Sequence, residues 1–342
     1  MAFNFNKEQV YFLVSACVCR LINCWRSKKT VHSILVIKWD EIGDMVYALP
    51  IFQPLNLEFP NAPITLLCKP FVKPLAQNHP AISHIIHELP KNQKFDMIVE
   101  LRGNWKTLAY ALKYIPNKRL DRGTVRLKNK IKGIQAHEQI INLDIIKSVI
   151  SNAPNQGSIP IYIDKESERE AIDFIKQNQL SNFAVIHCGG RRVLRQWSIS
   201  NFAVLARKLK DSYKLNLVFV GTEEDEYTIN QVIKMSEREA IACTKNFSLL
   251  TLAALVSKAK LFVGNESGPL HIAALMNTPL VGIYGPGVKD IFYPIGEKSR
   301  VVHHILDCNP CDQIHCIRPE SPCINLVTIE EVELKINELL AL

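Results

Sequence analysis

The sequence predicts an α/β protein of two doubly wound, Rossmann-like domains facing across a cleft, and three observations carry that prediction. Short runs rich in Val, Ile, Leu and Phe alternate with longer helical patterns from Ser33 onward, and strands spaced by helices make parallel sheets covered on both faces. The chain has 342 residues, about twice a typical domain length. The turn-rich stretch Asn152-Ala153-Pro154-Asn155-Gln156-Gly157-Ser158-Ile159-Pro160 interrupts the alternation near its middle. The expected divisions are therefore an N-terminal segment 1–30, a first domain 31–155 and a second domain 156–342.

Hydrophobic residues make up 47% of the chain and charged residues 22%, with no low-complexity tract, so disorder is not expected. The N-terminal run from Val10 to Trp25 is apolar, but as a helix it reaches only about 24 Å, against a hydrocarbon core of about 30 Å. Arg20 and the following Arg26-Ser27-Lys28-Lys29 argue against a cleaved leader. Two readings stay open: a helix lying in a membrane interface, or one packed on the protein.

Strands are expected at Ser33–Ile37, Ile64–Leu67 and Met97–Glu100, and a helix at Asp44–Gln53. The first strand runs into Lys38-Trp39-Asp40-Glu41-Ile42-Gly43-Asp44, where Gly43 allows a tight turn and Asp44 falls at the start of a helix. Such a carboxylate is either an N-cap or a general base held against a substrate hydroxyl. Asp40 and Glu41, placed before the turn, are expected to be solvent-exposed.

Charge is distributed unevenly: residues 1–100 carry +2, residues 101–150 carry +8, and residues 151–342 carry −2. Between Lys113 and Lys132 lie eight basic residues against the single acid Asp121. That stretch is a solvated face or a site for an anionic partner. No recognised nucleic-acid motif accompanies it and aromatic residues are sparse, so nucleic acid is not the expected partner. A phosphorylated or carboxylated substrate, or an anionic membrane surface, fits better.

In the second half, strands are expected at Phe183–Ile186, Leu217–Val220, Leu261–Val263 and Leu280–Ile283, with helices at Ser167–Asn178, Ser200–Ser212 and Leu249–Ser257. The first of these strands leads into His187-Cys188-Gly189-Gly190-Arg191-Arg192-Val193-Leu194-Arg195-Gln196-Trp197. Its glycines permit close backbone approach, and its three arginines suit phosphate oxygens. The next ends in Gly221-Thr222-Glu223, whose acid could accept from sugar hydroxyls or merely favour a helix start. The third leads into Asn265-Glu266-Ser267-Gly268-Pro269-Leu270-His271, which reads as a hydroxyl cap, a glycine free to take positive φ and a proline suited to a first helical turn. The turn is either an anion site made by the backbone amides left there or an ordinary capped strand-turn-helix. His271 is either a satisfied interior histidine or a ligand contact.

Taken in order, Ile34–Pro50 with its Ile-Gly-Asp core, His187–Trp197, and Asn265–Ala274 ending in the Ser-Gly…His pattern resemble the heptosyltransferases of glycosyltransferase family 9 over about residues 33–335. The resemblance implies a GT-B architecture. The activity it implies is inverting, metal-independent transfer of heptose from ADP-heptose to the lipopolysaccharide inner core. It makes Asp44 the catalytic base and assigns the donor to Gly189, Gly190, Arg191, Arg195, Glu223, Glu266, Ser267, Gly268, Pro269 and His271. Arg195 balances the diphosphate where that family has a lysine, and Glu266 stands where it has an aspartate. The anionic acceptor falls to Gly43, Arg102, Lys118, Arg119, Arg122 and Arg126. No Asp-x-Asp pair offers a divalent cation site, and no cofactor beyond the nucleotide sugar is implied. The expected setting is cytoplasmic, peripheral to the inner membrane. Three other readings remain: a GT-B transferase of another nucleotide sugar, a GT-B-like epimerase of a sugar nucleotide, and a non-catalytic, membrane-associated protein that binds one.

Ten cysteines include the cluster Cys308, Cys311, Cys316 and Cys323. A structural zinc ion, disulfides and reduced packing thiols are the three readings open for it.

Overall fold

The structure is a computed structural model that describes residues 7–26, 30–151, 161–244, 247–309 and 311–340. The expected linker 152–160 and residues 27–29, with Lys28 and Lys29 of the basic run, lie outside them. The chain divides into two compact units, Met1–Ile159 and Pro160–Leu342.

The first unit contains α1 (Lys7–Arg26), β1 (Ile34–Lys38), α2 (Ile42–Val46), α3 (Phe52–Glu58), β2 (Ile64–Cys68), β3 (His84–Ile86), β4 (Met97–Arg102), α4 (Trp105–Tyr114), β5 (Lys118–Asp121), α5 (Arg122–Ile131) and α6 (Glu138–Ile146). Its sheet is wholly parallel in the order β3-β2-β1-β4-β5. β1 lies at the centre and every residue in it is buried, which is what a continuous Ile-Leu-Val-Ile run achieves when helices cover both faces. The single helix expected at 44–53 is instead α2, a 3₁₀ turn at Leu49–Ile51 and α3. Pro50 has no amide to donate across that turn, so a continuous α-helix is interrupted there.

α1 packs on this unit through one face. Tyr11, Ser15, Cys19 and Ile22, spaced three and four apart, are buried against β5 and α5. Tyr11 Oη donates to Glu100 Oε1 at 2.5 Å, and the Arg119 guanidinium donates to the Ser15 carbonyl and hydroxyl, both at 2.8 Å. Asn23 completes the dock by accepting from the Arg119 amide at 2.9 Å and donating to its carbonyl at 2.7 Å. Gly123 is required here, because a Cβ would meet the Phe12 carbonyl oxygen at 2.5 Å. Of the two readings open for this helix, packing on the protein describes one face. The other carries Val10, Val14, Cys17, Leu21 and Cys24, all exposed.

The second unit contains α7 (Lys165–Gln177), β6 (Phe183–His187), α8 (Ile199–Asp211), β7 (Asn216–Val220), α9 (Glu226–Ser236), β8 (Ile241–Cys243), α10 (Leu249–Ser257), β9 (Leu261–Asn265), α11 (Gly268–Leu275), β10 (Leu280–Tyr284), α12 (Lys289–Phe292), β11 (Ser299–His303) and α13 (Ile329–Leu340). Its sheet is also parallel, in the order β11-β10-β9-β6-β7-β8. Val332, Ile336 and Leu339 of α13 join the core with Phe202, Leu205 and Leu209 of α8. Connections leave in opposite directions on either side of the β6–β9 pair, which makes that pair the switch point where open α/β sheets hold ligands beyond their carboxyl ends.

Candidate active site

In the first unit β1 delivers a buried cation. The Lys38 side chain is 0% exposed, and its ammonium lies 3.4 Å from both Asp40 Oδ2 and Glu138 Oε1. Glu138, the first residue of α6, also takes a two-pronged pair from Arg122 and a longer bond from Arg126 at 3.5 Å. Burial alone would raise the Glu138 pKa, but Arg122 and Lys38 outweigh it and bring the carboxyl down to about 2. Glu138 therefore stays ionised and serves as the hub of the cluster.

Asp44 is the third residue of α2, beside that hub. Burial pushes its carboxyl up from 3.8 to about 6; Lys38 pulls it down, while Asp40 and Glu138 push it further up. A carboxylate at that value is ionised at neutral pH and basic enough to take a proton. Gly43 occupies the first turn of α2 and makes no left-handed turn, since the only described glycines with positive φ are Gly133 and Gly190. Asp40, expected at the surface, is mostly covered and paired to Lys38, with Arg102 at 3.8 Å. Glu41 pairs with Lys69 at 2.8 Å.

The basic residues expected to meet an acceptor separate into three groups. Arg102 and Arg126 keep 37% and 33% of their side chains exposed near the carboxyl end of the sheet. Arg119 and Arg122 are interior. Arg119 is 0% exposed and held by Glu100 at 3.2 Å as well as Ser15, while Arg122 is consumed by Glu138, so neither offers a free guanidinium. Lys118 pairs in register with Met97, which pairs with Ile34, so it stands at the amino edge of the sheet, opposite Asp44. The sequence run 113–132 that looked like one basic face thus contributes one exposed guanidinium, that of Arg126, near the carboxyl end.

In the second unit Asn265, wholly buried at the end of β9, ties two loops together. Its Nδ2 donates to the Cys188 and Gly189 carbonyls at 2.9 and 3.0 Å, and its Oδ1 accepts from the Trp197 amide at 3.0 Å. Ser267 precedes α11 but does not cap it. Its hydroxyl donates to the Asn265 carbonyl and pairs with His187 Nδ1, both at 3.0 Å. No side chain caps α11, so its first amides keep their donors toward that end. Gly268 and Pro269 form its first two positions. The positive φ expected at Gly268 occurs instead at Gly190, at 148°.

Asp225, which sequence reasoning passed over for its neighbour, shapes this loop. It accepts from the Gly190 amide at 3.2 Å and the Thr222 amide at 2.9 Å, and a Cβ at Gly189 would collide with it. Glu223 is exposed in the adjoining 3₁₀ turn and Arg191 is exposed on the loop. Arg195 Nη1 lies 3.1 Å from Glu266 Oε1. Burial pushes the Glu266 carboxyl up to about 7 against the pull of Arg195 and Arg192, and its second oxygen is buried with no partner. His271 is 5% exposed on α11. His187 is desolvated, and its pKa is lowered.

The four late cysteines are free thiols, and together they line one cavity of about 300 Å³. Among the described residues no three His, Cys, Asp or Glu side chains are placed to share a metal ion.

The model of glycosyltransferase family 9 (heptosyltransferase) matches residues 84–321. The chain belongs to this family. A lipopolysaccharide heptosyltransferase 2 from Escherichia coli K12 is 25% identical over 308 residues, covering 80% of this chain and 88% of the relative. A family-9 glycosyltransferase from Veillonella parvula superposes with a TM-score of 0.78 at 19% identity, covering 92% of this chain and 98% of that one. The E. coli ADP-heptose lipopolysaccharide heptosyltransferase II gives a TM-score of 0.69 at 20% identity over 90% and 98%. These structures share the α/β fold of two Rossmann-like units, that of the GT-B class. The family-9 chain is a glycosyltransferase, and the match reaches across both units.

The residues missed from sequence are Lys38, Asp40 and Glu138 in the first unit and Asp225 and Asn265 in the second. Glu138 left a signal: it is one of three acids in a segment whose net charge is +8.

Proposed function

We propose that the chain transfers heptose from ADP-heptose to an anionic hydroxyl acceptor of the lipopolysaccharide core. The observation that carries this reading is the uncapped start of α11 beside Arg195, at the β6–β9 switch point of a family-9 chain. Amides and a guanidinium there suit a diphosphate. The named donor of the E. coli relative supports ADP-heptose.

Asp44 takes the proton of the acceptor hydroxyl as that oxygen bonds to the anomeric carbon. The bond from that carbon to the diphosphate oxygen breaks, the configuration inverts, and ADP leaves with the electron pair. The α11 amides and Arg195 stabilise the charge that develops on the diphosphate. Arg102 and Arg126 face the acid groups of the acceptor. Gly189, Gly190 and Asp225 shape the loop, with Arg191 at its surface. In this reading the exposed Glu223 accepts from a donor hydroxyl, and Glu266, Ser267, Gly268, Pro269 and His271 build the turn.

In this reading the reaction takes place at an anionic membrane surface. No described helix is long and apolar enough to cross a bilayer. The outward stripe of α1, spaced for one helical face, lies on the same unit as the exposed Lys128, Lys130 and Lys132 of the α5 region, beside Ile131 at 78% exposure. Apolar and basic groups together suit anionic lipid. Sedimentation with phosphatidylglycerol vesicles but not phosphatidylcholine vesicles is expected, and Leu21→Glu should abolish it.

The deciding experiment is transfer from ADP-heptose to heptose-deficient core, with ADP as the measured product. Parent enzyme should release ADP only when the acceptor is present, and Asp44→Asn should bind ADP with turnover lowered by about a hundredfold or more. Stabilisation by another nucleoside diphosphate and not by ADP would replace the donor assignment; binding without turnover by the parent would return the non-catalytic reading.

A further inference from the structure

The cysteine-rich segment reaches back to the arginine loop through one side chain that no motif predicts. Gln313 Oε1 accepts from Arg195 Nε at 2.8 Å and from Arg195 Nη2, and it accepts from Arg192 Nη1 at 3.2 Å. Arg192 Nη1 also donates to the Asp312 carbonyl at 3.2 Å. A single amide oxygen therefore gathers two guanidinium groups that lie more than a hundred positions earlier in the chain. Without it, two adjacent cations would repel and reorient.

The backbone is built to present that oxygen. Gln313 has φ 62°, in the left-handed region that costs a non-glycine residue energy unless its surroundings enforce it. The enforcement is visible on both sides. Asp312 Oδ1 accepts from the Ile314 and His315 amides at 2.8 and 2.9 Å, and its other oxygen meets His315 Nδ1 at 2.9 Å. These bonds hold the Asp312 carboxyl well below the usual carboxylate range. On the other side the Gln313 amide approaches Cys311 Sγ at 3.4 Å, and Cys311 lines the thiol cavity together with Leu194, the neighbour of Arg195.

We propose that Gln313 is a positioning residue for the diphosphate of the donor. Its neutral carbonyl orients Arg192 and Arg195 without cancelling their charge, and the cysteine-rich segment exists in part to hold it there. The choice of an amide matters. Glu266 already pairs with Arg195, so a second carboxylate would neutralise the local cations that a diphosphate needs, whereas an amide leaves the net charge intact. This inference rests on the proposed diphosphate site, and the test separates the two.

ADP and inorganic pyrophosphate are titrated into the full chain by calorimetry, for the parent and for Gln313→Ala and Gln313→Glu, with melting temperatures recorded for each. For Gln313→Ala the dissociation constants should rise on the order of tenfold, the size expected for loss of a bond to a charged group. Gln313→Glu should melt no lower than the parent, because a carboxylate satisfies both guanidiniums, yet bind ADP and pyrophosphate more weakly than Gln313→Ala. The KM for acceptor should not move. A purely structural role would show the opposite split, with Glu restoring affinity along with stability. That result overturns the proposal, as does affinity within about twofold of the parent for both variants. A parent that binds pyrophosphate but not ADP would sink the choice of nucleotide and leave the Gln313 comparison intact in its pyrophosphate arm. A parent that binds neither would remove the diphosphate site and this inference with it.

Discussion

The acidic limb of the pH–rate profile is the sharpest test of the base assignment. Asp44 is raised from 3.8 to about 6, first by burial, then by Asp40 and Glu138, against the opposing pull of Lys38 and Arg122. A general base works only when deprotonated, so kcat/KM should be flat above pH 7 and fall below 6. At pH 5 about one tenth of the sites would carry the charged form, and each further pH unit should cost about tenfold. Asp40→Asn removes a neighbouring negative charge and should move the limb to lower pH. Asp44→Asn should abolish the limb and lower kcat/KM by on the order of 10²- to 10⁴-fold. The same shift fixes the sign of the stability effect: a carboxylate whose folded pKa lies above its unfolded value costs the fold nothing at low pH and most above pH 6. Asp44→Asn should therefore melt at or above the parent at pH 8, by at most about 3 kcal/mol, which separates lost chemistry from lost folding. The assay is ADP release from pH 4.5 to 9 with circular dichroism at each point. A limb centred at the ordinary carboxylate value, or an Asn variant that keeps parental turnover, refutes the reasoning.

Glu266, raised to about 7 by burial, follows the same sign: Glu266→Gln should raise the melting temperature at pH 8 and leave it unchanged near pH 4.5, with an upper bound of about 3 kcal/mol; a loss of stability at pH 8 would mean that the Arg195 pair outweighs burial. Arg119→Met removes the partner of the buried Glu100 and should cost about 3–5 kcal/mol in urea unfolding of the first unit, far more than a surface ion pair. Asn265→Ala strips three buried hydrogen bonds that join two loops, so ADP affinity should fall together with protection of the Trp197 amide from hydrogen exchange; unchanged exchange would show that the loops hold without it.

Much of the fold was legible because the central strands are continuous apolar runs. Ile34–Lys38, Phe183–His187, Leu261–Asn265 and Leu280–Tyr284 could hardly be anything else once helices flank them. β5 was not legible. Lys-Arg-Leu-Asp reads as solvated, and it is interior only because α1 and Glu100 satisfy its charges, which is a tertiary fact. The candidates that sit at strand ends, Asp44 for catalysis and Arg195 and Ser267 for the donor, could be placed from local pattern alone. Glu138 and Gln313 could not: one meets Lys38 across 100 positions and the other meets Arg195 across 118, and no local periodicity encodes such a meeting.

The dock between α1 and Arg119 bears on how this enzyme can be trimmed. Ile34, the first residue of the central strand, is a natural start for a minimal version. Such a shortened chain would open Arg119, Glu100 and the outer flank of Lys118–Asp121 to water. The new margin would present unpaired backbone and charge at once, and a protein so truncated should be recovered in aggregates while the untrimmed one stays dispersed.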